Sequence, residues 1–243
     1  MNNVIREAVK HGLHPIDAIR SATLNAAREV GIKNLGAIAP GYVADLIITE
    51  SLEDIEPIAV FFQGELVARE GKLVVDIDSK DFEIERRNTV YVEDLNLEDF
   101  KIKAPIDNGT IKVNIIKYSS LVSSSTELET TEIPVKDGYL DISNDESLKF
   151  AIVINRHKGF NTKSYAIVRN FGTKEGAVGS TISHDSHNMT IVYDKAENAL
   201  AIFEDLKEIG GGISSAKDGK VLNHLELQVA GLMSTKPCEE LAR

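Results

Sequence analysis

Cysteine is nearly absent from this chain. Cys238 is the only one in 243 residues, which excludes a disulfide framework and a thiolate-bound metal cluster and fits a reducing cytoplasm. Concentrated positive charge is missing as well. The formal net charge is −11, and no basic cluster is longer than the Arg86-Arg87 pair. That argues against a nucleic-acid backbone as partner and against an anionic membrane surface. No apolar run approaches the ~18 residues of a membrane span, and the N-terminus has no signal-peptide core. What is present is ordinary for a soluble domain: 42% apolar and 27% charged residues, enough for one large domain or two modest ones. A soluble, cytoplasmic protein is the expectation.

The opening segment predicts helices. Val4, Ile5, Ala8 and Val9 form one apolar stripe that Gly12 ends, and Pro15 suits the first turn of a second helix. Ile16, Ile19, Ala22, Ala26 and Val30 repeat at helical spacing up to Gly31. From Gly36 the texture changes to short β-like runs: 44–50, 57–63, 65–70 and 72–77. No helix-length crossover separates them, so a small antiparallel sheet is expected. A polar, acidic stretch then leads to about residue 100. Beyond it, strands are expected near 110–117, 128–135, 148–155, 164–169, 174–181 and 188–193, with a Ser/Thr-rich run over 118–132 that reads as a mobile segment or an edge strand. One helix is strongly signalled. Asp194 and Glu197 make a capping pattern, and Ala199, Ile202, Leu206 and Ile209 form its stripe. Gly210, Gly211 and Gly212 close it as a cap rather than an anion nest, since a helix C-terminus carries the wrong dipole sign for an anion. A hairpin follows around 216–221. The fold class expected is α+β: terminal helices, a small antiparallel β-domain, then a mixed sheet with one packed helix. Both ends run into elements rather than loops, which suggests a fragment of a longer protein.

The densest chemistry lies in "VGSTISHDSHNMTIVYD", 178–194. Ser183, His184, Asp185, Ser186, His187 and Asn188 follow one another between β-like runs, in a chain with only six histidines. Three readings stand side by side. In a helical turn, His184 and His187 share a face and could ligate a metal; in an extended segment odd spacing sends them to opposite sides. Asp185 and Asn188 could instead hold a purely structural turn. Thirdly, the density of titratable groups suits a loop that shapes, gates or proton-couples an active site. Arg156 and His157, at the end of a buried-looking strand, suit an anion or a solvated strand end. His11 and His14 flank Gly12 in a connecting loop, and His224 reads as a surface residue on a hairpin strand.

Two sets of residues carry a resemblance. Thr23, Asn25, Ala27, Gly31, Gly36, Ile38, Gly41, Ala44 and Asp45 resemble the end of an amidohydrolase-superfamily enzyme, where the last barrel helices return into a small β-domain. Independently of any family, Gly36 and Gly41 permit tight turns and Asp45 can bond nearby backbone N–H groups. The blocks 155–160, 170–188, 208–222 and 229–234, in that order, are similar to the C-terminal domain of adenine deaminases. The resemblance spans the whole chain. It implies terminal barrel helices over 1–35, a small β-domain with a connecting segment over 36–98, and an adenine-deaminase-type C-terminal domain, incomplete at its end, over 99–243. It further implies adenine as substrate of the complete enzyme, hypoxanthine and ammonia as products of purine catabolism, a homo-oligomer, and a divalent metal, Mn or Fe. The family's H-x-H metal pair is absent here, as is the H-x-E with P-C-x-x-C signature of the other deaminase class. The metal site and the missing barrel portion are therefore expected outside this chain, with no metal bound tightly by these residues and no activity from them alone. Within the chain the resemblance favours His184, Asp185 and His187 as a supporting active-site loop, with Ser183, Ser186, Asn188, Arg156 and His157 near the substrate. The alternative is a non-catalytic interaction or assembly module derived from the same superfamily.

Overall fold

The computed structural model describes residues 1–76, 88–119, 125–158 and 160–241. Gly159, the Ser-rich stretch 120–124 and residues 77–87 of the connecting segment lie outside the described residues. The chain divides into two compact units, Met1–Lys80 and Asp81–Arg243. Among the described residues no helix is long and apolar enough to cross a membrane.

The first unit begins with helices α1 (Asn2–Lys10), α2 (Pro15–Arg20) and α3 (Ala26–Glu29), the last two joined by a π-helical turn over Ser21–Asn25. That turn corrects the expected stripe. Ser21 Oγ donates to the Asp17 carbonyl and Thr23 Oγ1 to that of Ile19, so the helix widens and its phase slips. Ile5, Ala18 and Ile55 are buried together, with Ala27 buried further along, while Val4, Ile16 and Val30 are exposed. Strands β1 (Leu46–Thr49), β2 (Pro57–Phe62), β3 (Glu65–Arg69) and β4 (Lys72–Leu73) form the antiparallel sheet in sequence order. Asp45 reaches across it, accepting from the Gln63 N–H at 2.8 Å rather than closing its own turn. Gly36 is required where it stands: a Cβ would lie 2.7 Å from the Leu24 backbone. Two apolar grooves open on this unit. One of about 560 Å³ is lined by Leu46, Phe61, Phe62, Val67, Leu73 and Val75; another of about 600 Å³ lies beside Met1, Ile5, Ala22, Ile47 and Ile55.

The second unit carries β5 (Gly109–Tyr118), β6 (Thr126–Lys136), β7 (Tyr139–Leu140), β8 (Leu148–Ile154), β9 (Lys163–Arg169), β10 (Ala177–Ser183), β11 (Asn188–Tyr193), α4 (Ala196–Glu208), β12 (Gly212–Lys217), β13 (Lys220–Glu226) and α5 (Cys238–Leu241). The sheet order is β13-β12-β10-β11-β8-β9-β5-β6-β7, antiparallel except where β5 meets β9. The mixed sheet with one packed helix is thus as the periodicity predicts. β8, LKFAIVI, is apolar almost throughout because it is central and covered on both faces. Helix α4 lies on the sheet through Ala199, Ile202, Phe203 and Leu206. Phe100 and Tyr193 meet edge to face at 6.1 Å, and the buried Tyr193 hydroxyl donates to the Phe100 carbonyl at 2.8 Å. Burial pushes the Tyr193 phenol well above its ordinary value, so it stays a neutral donor.

The expected capping pair is corrected. The N-cap of α4 is Lys195 with no side-chain bond; Asp194 is committed elsewhere, accepting from the Gly176 N–H and the Asn198 amide. A capping box forms instead at the 3-10 turn Leu97–Phe100. Asn96 accepts from the Glu98 N–H and Asp99 accepts from the Asn96 N–H, each at 2.9 Å. Asp99 also binds the Lys163 ammonium at 2.5 Å.

Two outcomes follow from this packing. Gly179 faces α4, where an added Cβ would run into the Ile202 side chain; Gly179→Ala should lower stability by roughly 1–3 kcal/mol in urea denaturation. The Asn96 N–H first, then Lys163, hold the Asp99 carboxyl below its ordinary value of 3.8. Asp99→Asn should cost about 1 kcal/mol at neutral pH. Because the folded value is depressed, that difference is complete above pH 3.8 and disappears as pH falls through the lower folded value. Urea midpoints of both proteins between pH 7 and 2 read it directly.

Candidate active-site loop

The loop between β10 and β11 is a tight four-residue turn, His184–His187. The alternation of β10 and β11 brings Ser183 opposite Asn188, and the His187 N–H donates to the Ser183 carbonyl at 2.6 Å. His187 takes a left-handed φ of +52°, which lets the chain reverse. Ser183 Oγ donates to Thr190 Oγ1 at 2.6 Å inside the hairpin.

Two rings and a guanidinium fix this turn. His187 Nδ1 donates to the Ile182 carbonyl at 3.0 Å, and His157 Nε2 donates to the Ser186 carbonyl at 2.8 Å. A carbonyl can only accept, so each ring carries its proton on that nitrogen when neutral. Arg156 is 2% exposed; its Nε donates to the His187 carbonyl at 2.5 Å and its Nη1 to Thr89 Oγ1 at 3.2 Å. Burial pulls the guanidinium below its ordinary value, though it remains charged at neutral pH. The apex is open. His184 and Asp185 contact each other and are 82% and 86% exposed as side chains, with the His184 ring 5.9 Å from that of His187.

The structure brings together Arg156, His157, Ser186 and His187. It leaves His184 and Asp185 projecting at the tip. Asn188 contributes a buried Oδ1 without a hydrogen-bond partner among the described residues. Three further residues join the cluster that the sequence did not single out. Thr181, 0% exposed, accepts from the Gly212 N–H at 2.8 Å and donates to the Gly231 carbonyl at 2.7 Å. Thr89 meets the guanidinium. Gly231 lies so close that a Cβ would be 3.0 Å from both Arg156 Nη1 and Thr181 Oγ1. The only sequence signal for Thr181 and Gly231 is that they fall in the quoted blocks, which converge here; Thr89 lies outside them.

Of the remaining histidines, His11 is exposed beside Glu7 and His14 caps α2 through its backbone alone. His224 is exposed on β13, as expected, and its Nδ1 meets Asp205 of α4 at 2.8 Å. The glycine run does cap the helix, with the Gly211 N–H donating to the Leu206 carbonyl. Among the described residues, no three His, Cys, Asp or Glu side chains gather to hold a metal. A ring N–H held on a carbonyl, as at His187, also orients metal-bound imidazoles, so the shortfall here is one of ligand number among the described residues.

Residues 123–243 match the adenine deaminase C-terminal domain and residues 1–67 the amidohydrolase family. The adenine deaminase of Moorella thermoacetica is 38% identical over 100% of this chain and 41% of its own length. That of Clostridium acetobutylicum is 34% identical over 100% of the chain and 42% of its length. Adenine deaminase 2 of Carboxydothermus hydrogenoformans is 35% identical over 99% and 41%. The chain therefore spans about two-fifths of the length of the curated relatives it matches. Its helices and small sheet carry the amidohydrolase match and its larger sheet carries the deaminase-specific one: the chain belongs to the adenine deaminase family.

Proposed function

We propose that this chain is the C-terminal part of a metal-dependent adenine deaminase that converts adenine and water to hypoxanthine and ammonia in cytoplasmic purine catabolism. Residues 1–35 are then the last barrel helices, 36–98 the small β-domain with its connection, and 99–243 the C-terminal domain. The divalent metal, Mn or Fe, belongs to residues outside this chain. The apolar grooves of the first unit are the size and character of surface that a barrel portion covers, and the complete enzyme assembles as a homo-oligomer.

The observation that carries the loop's role is its division of labour. Arg156, His157 and His187 are spent on its backbone carbonyls, which makes a stiff stem. His184 and Asp185 are left exposed at its tip. A stiff stem with an open imidazole–carboxylate pair suits proton transfer to a leaving amine, where a positioned group contributes roughly 10²–10⁴-fold. His184 is the group that exchanges the proton, Asp185 orients its ring, and His187 sets the loop's height with its free Nε2 beside them. Ser183, Ser186 and Asn188 border the substrate side, and Arg156 with His157 supports it from below.

The test is adenine turnover by the complete, Mn-loaded enzyme carrying this segment, with His184→Ala and His187→Ala measured beside metal content. His184→Ala should lower kcat by about 100-fold with metal retained, and His187→Ala should lower it less. Full activity in both variants would reduce the loop to a well-bonded turn. Loss of metal would make the histidines ligands and overturn the proton-transfer role. The 243-residue chain by itself should not turn over adenine above a metal-only control.

A further inference from the structure

Beneath the loop lies a second tier of contacts centred on a hydroxyl group. We propose that Thr181 is a positioning residue for the His184–His187 turn, acting through Gly231 and Arg156; the inference rests on the loop's catalytic role only in its last readout.

Thr181 is the buried threonine of β10, three residues before the turn. Its hydroxyl joins two segments that are far away in sequence. It accepts from the Gly212 N–H at the start of β12 and donates to the Gly231 carbonyl in the segment after β13. The backbone comes in unusually close at this point. A Cβ on Gly211 would stand 2.8 Å from the Thr181 hydroxyl and 2.8 Å from the Gly231 Cα, and one on Gly231 would meet Thr181 Oγ1, Arg156 Nη1 and the Gly210 carbonyl at 3.0–3.1 Å. Gly211 and Gly231 also have left-handed φ values of +105° and +67°, where side chains are strained. Glycine is needed at both positions for two separate reasons.

The consequence is a continuous stack. The Thr181 hydroxyl seats the Gly231 backbone, and the bare Gly231 Cα forms a wall against the Arg156 guanidinium. That guanidinium, pinned on its other side by Thr89, holds the His187 carbonyl. Removing the hydroxyl leaves a buried N–H without a partner and the Gly231 carbonyl without its donor. The 229–233 turn, closed by Val229 and Met233, is then free to relax away from Arg156. The guanidinium loses its backing, and the turn it holds loses its fixed height. A threonine whose only task was to fill the core would be replaced by valine, of the same shape, without any effect on His187.

The experiment follows the His187 ring by ¹⁵N-edited NMR on the full 243-residue chain, because its Nδ1–H, bonded to Ile182, reports the state of the turn. In Thr181→Val that proton should exchange with water at least about tenfold faster than in the wild type, as expected for a bond no longer held closed. Thr181→Ser, which keeps the hydroxyl, should stay within about twofold of the wild type on the same scale. Circular dichroism confirms the fold of each. An unchanged His187 signal in folded Thr181→Val overturns the proposal, as does Thr181→Ser behaving like Thr181→Val. If Thr181→Val does not fold, Gly231→Ala replaces it, since it crowds the same guanidinium while leaving the hydroxyl in place; an unchanged His187 signal there is equally fatal. In the complete enzyme Thr181→Val should lower kcat about tenfold with KM unchanged, and Thr181→Ser should restore it. A released His187 with full kcat would instead count against the loop's catalytic role and leave the positioning inference standing.

Discussion

A buried positive charge sets the terms at this site. Arg156 sits at the end of the central strand β8 with 2% of its surface exposed, and a guanidinium so placed must find acceptors or destabilise the fold. The acceptors it meets are the His187 carbonyl and the Thr89 hydroxyl, and its own carbonyl accepts from the Tyr91 N–H. Segment 89–91, strand β8 and the β10–β11 turn are thereby fixed to one another by a single residue. Arginine suits this because its planar fork can address donors to two directions at once. A lysine in the same place would offer one compact charge and no such geometry.

The rest of the second unit keeps that point rigid. Strands β10, β11 and β8 lie side by side in the middle of the sheet, and α4 clamps them through Ile202 and Leu206 against Ile191 and Gly179. Strands held this firmly can present a short turn at their ends without letting it wander. The turn is exposed at His184, Asp185 and Ser186, and of these Ser186 is tied down through its carbonyl by His157. Packing and chemistry are therefore separated along seventeen residues of sequence: Met189, Ile191 and Tyr193 enter the core with α4, Val178 and Val192 pack with Ala151 and Val168, Thr181 and His187 bond the backbone, and the tip is left free.

Much of this architecture was legible in the sequence, and the part that was not has a common physical cause. The strands of both sheets follow from short β-like runs bounded by turn residues, and α4 from Ala199, Ile202 and Leu206 at helical spacing, because these are local signals. The helical stripe of the first unit failed where Ser21 and Thr23 bonded back to the preceding turn and changed its pitch. The capping role given to Asp194 failed because its carboxylate found the Gly176 N–H, a partner eighteen positions away. Thr181, Thr89 and Gly231 were invisible for the same reason. Their contacts with one another and with Arg156 join residues 31 to 67 positions apart or more closely packed glycines, and no periodicity records a tertiary hydrogen bond.

The doublet of histidines shows how residue type and spacing can point correctly to a site and still leave its chemistry open. His184 and His187, three apart, suit a metal in a helical turn. In the folded hairpin His187 donates its Nδ1 proton to Ile182, as His157 donates its own to Ser186, so two of the three imidazoles at the site serve as braces. What distinguishes the third is its place: His184 stands at the tip with its side chain 82% exposed, next to a carboxylate that is equally open. Among identical side chains, then, the brace role follows from which nitrogen the backbone has already claimed. A proton held on a carbonyl does not stop an imidazole from exchanging the other, so the proton-transfer role proposed for His184 rests on its place at the open tip beside Asp185.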